Sequence, residues 1–428
     1  MLQRLVLHQV GPRGDIGLDP VAPRLNLITG DNGLGKSFLL EAAWWALTRT
    51  WNGLPAMPHA PDARIVHHFD TEQGKRATTD SVWNPAGQFW KRTQGRPANP
   101  GLVMYARVDG SFSVWDPLRN YRLYARTTGG EAESPHAYQF TPEEVLWGLK
   151  RKVSEGGRER EETLCLGLVD EWREWQRTKD SAQFGLLTRV LAALGPEDQP
   201  LVPGELRYAT PDEQRAVPTV RMPYGEDVPI LYAPAGVLRM SKLAYLLTWV
   251  LSAHEREAQT QQRAPSRQVI LLVDEPETHL HPRWQRTVLR SLMEVMTAWH
   301  DGSVPQVQLL VTTHSPLVLA SAEPRFDPTR DALWKLDLVE GRVRVERDQW
   351  RRRGDVAAWL TSDVFDLDDA RSREAERALA DARALVLRDA VTPEEIRAVS
   401  DRLRGVLSDT DRYWLRWSHF AAQHGVEL

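Results

Sequence analysis

A chain of 428 residues with 54 basic and 58 acidic side chains and a net charge of −4 is long enough for one large core or for two or three domains of ordinary size. The charge balance excludes a globally basic nucleic-acid binder, although it leaves room for a local basic face. The single cysteine, Cys165, excludes an intrachain disulfide and argues for a reducing cytoplasm and against a zinc module, and no stretch reaches the ~18 apolar residues of a membrane span.

The N-terminus alternates as a strand over Leu2–Gln9, turns at Gly11–Gly14, and gives a second strand at Arg24–Thr29. A glycine loop follows, then a helix from Lys36 to Arg49. From Trp51 to Tyr138 short alternating runs broken by Gly and Pro predict antiparallel strands. Helical periodicity covers Pro142–Lys152, Leu164–Gln176 and Ala182–Leu194. After a Pro-rich connector come a long apolar helix at Ser241–Glu255 and the run Val269–Val273, whose unbroken apolar character fits the buried centre of a parallel sheet. A helix at Pro282–Trp299, a strand at Gln308–Thr312, a hairpin around Leu333–Leu338 and Arg342–Glu346, and charged helices after Asp368 complete the chain. The 17 tryptophans read as core packing rather than base-stacking platforms.

Three segments carry chemistry. Gly30-Asp31-Asn32-Gly33-Leu34-Gly35-Lys36-Ser37 satisfies G-x-x-x-x-G-K-[ST] between a strand and a helix. Its backbone N–H groups converge on phosphate oxygens at a helix N-terminus, Phe38 following as the next helical residue. Lys36 is placed for the β- and γ-phosphates of ATP and the Ser37 hydroxyl for Mg²⁺. At the end of Val269–Val273, Asp274 and Glu275 are an acid pair in which Asp274 takes the metal side and Glu275 acts as general base on an attacking water. One strand later Thr312-Thr313-His314-Ser315-Pro316 presents a histidine able to hydrogen-bond a γ-phosphate or the attacking water. His279 and His281 are read as non-metal residues, because no third ligand of suitable spacing accompanies them. Arg351-Arg352-Arg353 reads as a solvated charge run before a nucleic-acid contact.

The strings GDNGLGKS, LLVDEPETHLHP and LLVTTHSPLVL, in that order, resemble the ABC-type ATPases of the RecF, SMC and OLD group. That resemblance implies an α/β head with a central, mostly parallel sheet, an antiparallel β-rich lobe and a helical subdomain. It divides the chain into an ATPase core at 1–50 and 224–350, a β-rich insertion at 51–140, a helical subdomain with connector at 141–223, and a helical tail at 351–428. It implies a dimer of heads enclosing two ATP molecules, with a signature loop acting across the dimer. Ala233-Pro234-Ala235-Gly236-Val237-Leu238 occupies the place of that loop, with Pro234 and Ala235 where the family has serine and glycine. Ala235 and Gly236 are thus assigned to the partner's nucleotide. Gln139 is a weak candidate for the family's glutamine loop, and Arg13, in the Gly11–Gly14 turn, a candidate adenine contact by position.

The interval between Lys36 and Asp274 lacks the sustained heptads of an SMC coiled coil. The tail after His314 is too short for the nuclease domain of OLD proteins. The compact form is similar to stand-alone bacterial ATPases, including the PtuA family of Septu-type anti-phage systems, which pair with an HNH nuclease. A partner nuclease, direct DNA binding of the RecF kind, and a non-hydrolysing ATP-bound scaffold are the functional alternatives left open by the sequence.

Overall fold

The computed structural model describes residues 1–91, 98–126, 137–155, 158–212, 214–297 and 306–428. Two compact units divide the chain, Met1–Gly354 and Asp355–Leu428.

The first unit is built on two sheets. The strands that form them are β1 (Leu2–His8), β2 (Ile16–Leu18), β3 (Leu25–Gly30), β4 (Arg64–Asp70), β5 (Arg76–Asn84), β6 (Phe89–Trp90), β7 (Leu102–Ala106), β8 (Phe112–Trp115), β9 (Tyr138–Phe140), β10 (Gln268–Asp274), β11 (Gln306–Thr312), β12 (Asp331–Val339) and β13 (Arg342–Asp348). A five-stranded sheet runs β2-β1-β4-β5-β6 and an eight-stranded sheet runs β13-β12-β3-β11-β10-β7-β8-β9. In the larger sheet β12, β3, β11, β10 and β7 are mutually parallel, and both margins are antiparallel. All seven residues of β10 are buried, as an apolar run covered on both faces should be. Because β7 is the parallel neighbour of β10, part of the segment expected as a separate insertion is a strand of the central sheet.

Helix α1 (Lys36–Thr48) packs on β1 and β4 of one sheet and on β3, β7, β10 and β11 of the other. That placement explains its sequence: Leu39, Leu40, Ala42, Ala43, Trp44, Trp45, Ala46 and Leu47 are all buried, giving a helix apolar all round. Trp45 stacks on Trp51 with ring centroids 4.7 Å apart. Emptying the buried Trp44 or Trp45 site to alanine would cost about 3–5 kcal/mol.

Helix α2 (Ala235–Thr260) and helix α3 (Pro282–Thr297) both pack against the helix Ala182–Leu194. Residue 298 and the following seven lie outside the described residues, so the end expected for α3 at Trp299 does too. The helix expected over Pro142–Lys152 ends instead at Trp147. Gly148, at φ 103°, breaks it, and Leu149–Glu155 pairs antiparallel with Arg158–Cys165. The alternation Lys150-Arg151-Lys152-Val153 is a strand pattern that helical periodicity had overridden.

In the second unit, the helices Arg373–Val386, Pro393–Val406 and Tyr413–Gln423 enclose their own core of Leu379, Ile396, Leu403 and Trp417. Trp417 Nε1 donates to Ser400 Oγ at 3.0 Å. None of the described helices is long and apolar enough to cross a membrane.

Candidate nucleotide site

The parallel strands β3, β10 and β11 deliver the three motifs to one end of the sheet. Register pairs Asp274 of β10 with Thr312 of β11, and Thr312 with Ile28 of β3. The acid pair, the histidine loop and the phosphate loop are therefore neighbours because the strands preceding them are neighbours. This is where open parallel sheets bind ligands, beyond the carboxyl ends of their strands.

The phosphate loop is shaped by three glycines at positive φ, Gly30, Gly33 and Gly35. A Cβ on Gly30, at φ 142°, would meet the Leu336 carbonyl at 2.4 Å, and one on Gly35, at φ 96°, would meet Pro12 Cγ at 2.4 Å. Asp31, Asn32 and Gly33 are exposed, whereas Leu34 is buried and anchors the loop. Lys36 Nζ arches back to donate to the carbonyls of Gly30 at 2.9 Å and Asp31 at 2.8 Å. Burial lowers the Lys36 pKa, opposed by the charges of Glu275, Asp274, Asp31 and Glu277.

Asp274 collects hydroxyls. Ser37 Oγ donates to its Oδ1 at 3.0 Å and Thr312 Oγ1 to the same oxygen at 2.5 Å. Burial raises the Asp274 pKa against those bonds. Glu275 adopts the left-handed backbone region, φ 45°, a conformation that costs a side-chain-bearing residue about 1 kcal/mol or more. It is held there from two sides. Its N–H donates to Thr312 Oγ1 at 3.0 Å, and its carbonyl accepts from the Arg239 guanidinium at 2.9 Å. Its carboxylate accepts from Thr278 Oγ1 at 3.2 Å and lies 3.3 Å from His314 Nε2. Burial and then the nearby Lys36 charge lower the His314 pKa, opposed by Glu275, Asp274 and Asp31, which favours the neutral imidazole.

The hard oxygen set of Ser37 and Asp274, at hydrogen-bonding distance across the loop, suits Mg²⁺. The Gly30–Ser37 loop at the N-terminus of α1 suits polyphosphate. Residues 211–320 match the family described as “AAA domain, putative AbiEii toxin, Type IV TA system”. With the phosphate loop, acid pair and histidine loop on adjacent strands, the site is similar to the core of an ABC-type ATPase. The chain is similar over 52 residues, at 40% identity, to the “Retron Vc95 probable ATPase” of Vibrio cholerae serotype O1 biovar El Tor. That match spans 12% of this chain and 9% of the relative's length. Among solved structures, the SMC head domain from Thermotoga maritima is 15% identical with a TM-score of 0.39, covering 82% of this chain and 99% of that one. An Smc head bound to the C-terminal domain of ScpA, derived from Pyrococcus furiosus, is 12% identical with a TM-score of 0.41, covering 81% and 96%.

The remaining expected residues lie outside this convergence of motifs or at its edge. Arg13 is exposed and lines an open cavity of about 360 Å³ with Gln9, Gly14 and His59. Its carbonyl accepts from Val343 N at 2.8 Å, tying the turn to β13. Phe38 directs its ring at Gly11, where a Cβ would come within 2.2 Å of it, so that side chain supports the turn. Ala235 and Gly236 open α2 beside the loop that follows β10, and a Cβ on Gly236 would meet the His279 carbonyl at 2.8 Å. Gln139 Nε2 is engaged by Trp51 O at 2.6 Å and Asn52 Oδ1 at 3.2 Å. His281 Nδ1 accepts from Arg283 N at 3.2 Å at the start of α3.

Three residues of the site escaped the sequence reading. Thr312 is the hydroxyl hub between Asp274 and Glu275, and its signal was a threonine pair ending an apolar strand. Glu277 is a third acid within four residues. Arg239 bonds the Glu275 carbonyl from α2 and also donates to Val108 O at 2.7 Å. No local pattern announces that contact.

Proposed function

We propose that this chain binds ATP with Mg²⁺ and hydrolyses it, that two copies close on two nucleotides, and that closure and opening regulate a partner effector. The observation that carries the reading is the convergence of Lys36, Ser37, Asp274, Glu275 and His314 at the ends of three adjacent parallel strands. Bound Mg²⁺, held by Ser37 and Asp274, would neutralise phosphate charge during transfer. Backbone N–H groups of the Gly30–Ser37 loop and Lys36 orient the phosphates. Glu275 takes the proton of the attacking water. Neutral His314 hydrogen-bonds the γ-phosphate and reports its presence.

Ala235 and Gly236, at the N-terminus of α2, are assigned to the γ-phosphate of the opposite copy. The γ-phosphate then supplies the contact that differs between closed and open states. An HNH-type nuclease of an anti-phage pair, as in the PtuA family, is the partner we assign by analogy. The alternative of a RecF-like clamp on DNA predicts an ATP-enhanced, salt-sensitive DNA affinity. Pro234, which precedes α2 without a side-chain cap, favours a second reading in which ATP is held and turned over slowly, if at all, as a scaffold.

The test is ATP turnover by wild type and Glu275→Gln, with the molar mass of each measured in ATP. The gated ATPase requires wild-type turnover and a variant that accumulates as an ATP-held dimer. Absence of turnover in both, with the same nucleotide-filled assembly, would leave the scaffold.

A further inference from the structure

Glu277 closes the acidic string Asp274-Glu275-Pro276-Glu277, and the reaction scheme above gives it no part. Its side chain is buried. Oε1 accepts from Thr313 Oγ1 at 2.8 Å and from His314 N at 2.7 Å. One carboxylate oxygen thus holds the hydroxyl before the histidine and the histidine's own main chain. Oε2 is shielded from solvent and has no hydrogen-bond partner among the described residues. A buried acid with an unpaired oxygen is costly, so such a group calls for an explanation beyond packing.

The bonds continue beyond Glu277. Thr313 Oγ1 accepts from Ser315 N at 3.0 Å. Ser315 caps the helix Pro316–Ala322 by accepting from Val318 N at 3.3 Å, and its hydroxyl donates to Gln285 Oε1 of α3 at 2.8 Å. The segment carrying His314 is therefore fixed at its start by Glu277 and at its end by a helix cap. Between them the His314 side chain is about a third exposed, so its ring direction depends on its backbone anchor.

We propose that Glu277 is a positioning residue of the ATPase reaction: its carboxylate clamps Thr313 and His314 to the loop after β10, holding the imidazole against Glu275. The inference rests on the ATPase reading above. A charged acceptor suits this task because its bond to a backbone N–H is stronger than a neutral one. Displacement of a catalytic group by about 1 Å is enough to lower a rate by about 100-fold.

The experiment compares wild type with Glu277→Ala, Glu277→Gln, His314→Ala and the Glu277→Ala/His314→Ala double variant. Two readouts are taken: amide hydrogen exchange over Thr313–Val318 without nucleotide, and kcat and KM for ATP. Glu277→Ala is expected to speed exchange at His314 and Ser315 by about tenfold or more and to lower kcat about 10- to 100-fold, with KM within about threefold. Glu277→Gln keeps an oxygen that can accept both bonds and is expected to restore kcat to within about fivefold of wild type. In the His314→Ala background, Glu277→Ala should cost no more than about twofold further, because its effect passes through the histidine. An equal loss with and without His314, a rise in KM at constant kcat, or unchanged exchange in Glu277→Ala overturns the proposal. If wild type itself shows no turnover, the ATPase reading fails, and the exchange measurement alone decides whether Glu277 clamps the loop.

Discussion

His314 Nε2 stands 3.3 Å from Glu275 Oε1, so the loops that follow two adjacent parallel strands meet at one point in space. Burial and Lys36 favour the neutral histidine, the form that hydrogen-bonds the acid or a phosphate without carrying charge. Replacing it with alanine should lower kcat by about 10- to 100-fold and change KM little. Steady-state kinetics would show this. The acidic limb of the wild-type kcat profile should fall below the ordinary histidine value of 6.5 and should lose its histidine component in the variant.

Thr312 bridges the acid pair, donating to Asp274 Oδ1 and accepting from Glu275 N. Thr312→Val preserves the shape and removes both bonds. A buried N–H left without a partner costs about 1–3 kcal/mol, so urea unfolding should show a loss of about 2 kcal/mol. Because that bond also pins Glu275 in its left-handed conformation, kcat should fall more than ATP affinity.

Arg239 ties the first turns of α2 to the Glu275 and Val108 carbonyls. Burial lowers its pKa, opposed by Glu277, Asp274 and Glu275. Arg239→Lys keeps the charge but loses the fork that spans two carbonyls. We expect a stability loss of about 1–2 kcal/mol in chemical unfolding. Arg239→Met should lose more, since the surrounding acids are then left uncompensated.

Asp116 tests the far end of α2. Its Oδ1 accepts from His254 Nδ1 at 2.9 Å, and the same imidazole accepts from Ser266 N at 2.9 Å, fixing the tautomer. Arg119 Nε donates to Asp116 Oδ2 at 2.7 Å. Burial alone would raise the Asp116 pKa, but hydrogen bonds from His254 and Arg119 bring it down to about 2 from 3.8. A depressed carboxylate stabilises the fold above its unfolded pKa and loses that contribution as pH falls through the folded one. The Asp116→Asn variant should therefore be less stable than wild type by about 2–3 kcal/mol at pH 7. The difference should shrink as pH drops from about 4 toward 2, as paired urea titrations would reveal.

The phosphate loop, the acid pair and the histidine loop were legible in the chain because each is a short string whose chemistry depends on residue type and on a strand just before it. The strands beneath them were legible for the same reason: the run Val269–Val273 can only be buried on both faces. Helix starts and stops were read less well where glycine and charge alternation decided them, as at Gly148. Strand order was beyond reach, since nothing in Leu102–Ala106 says that it will lie beside Gln268–Asp274. That pairing closes a contact over more than 150 residues, and its register is set by the whole sheet. Thr312, Glu277 and Arg239 belong to the same class. Their residue types are ordinary, and only the tertiary fold turns them into a hub, a clamp and a tie, because a hydrogen bond acts over about 3 Å in space while sequence motifs record neighbours along the chain.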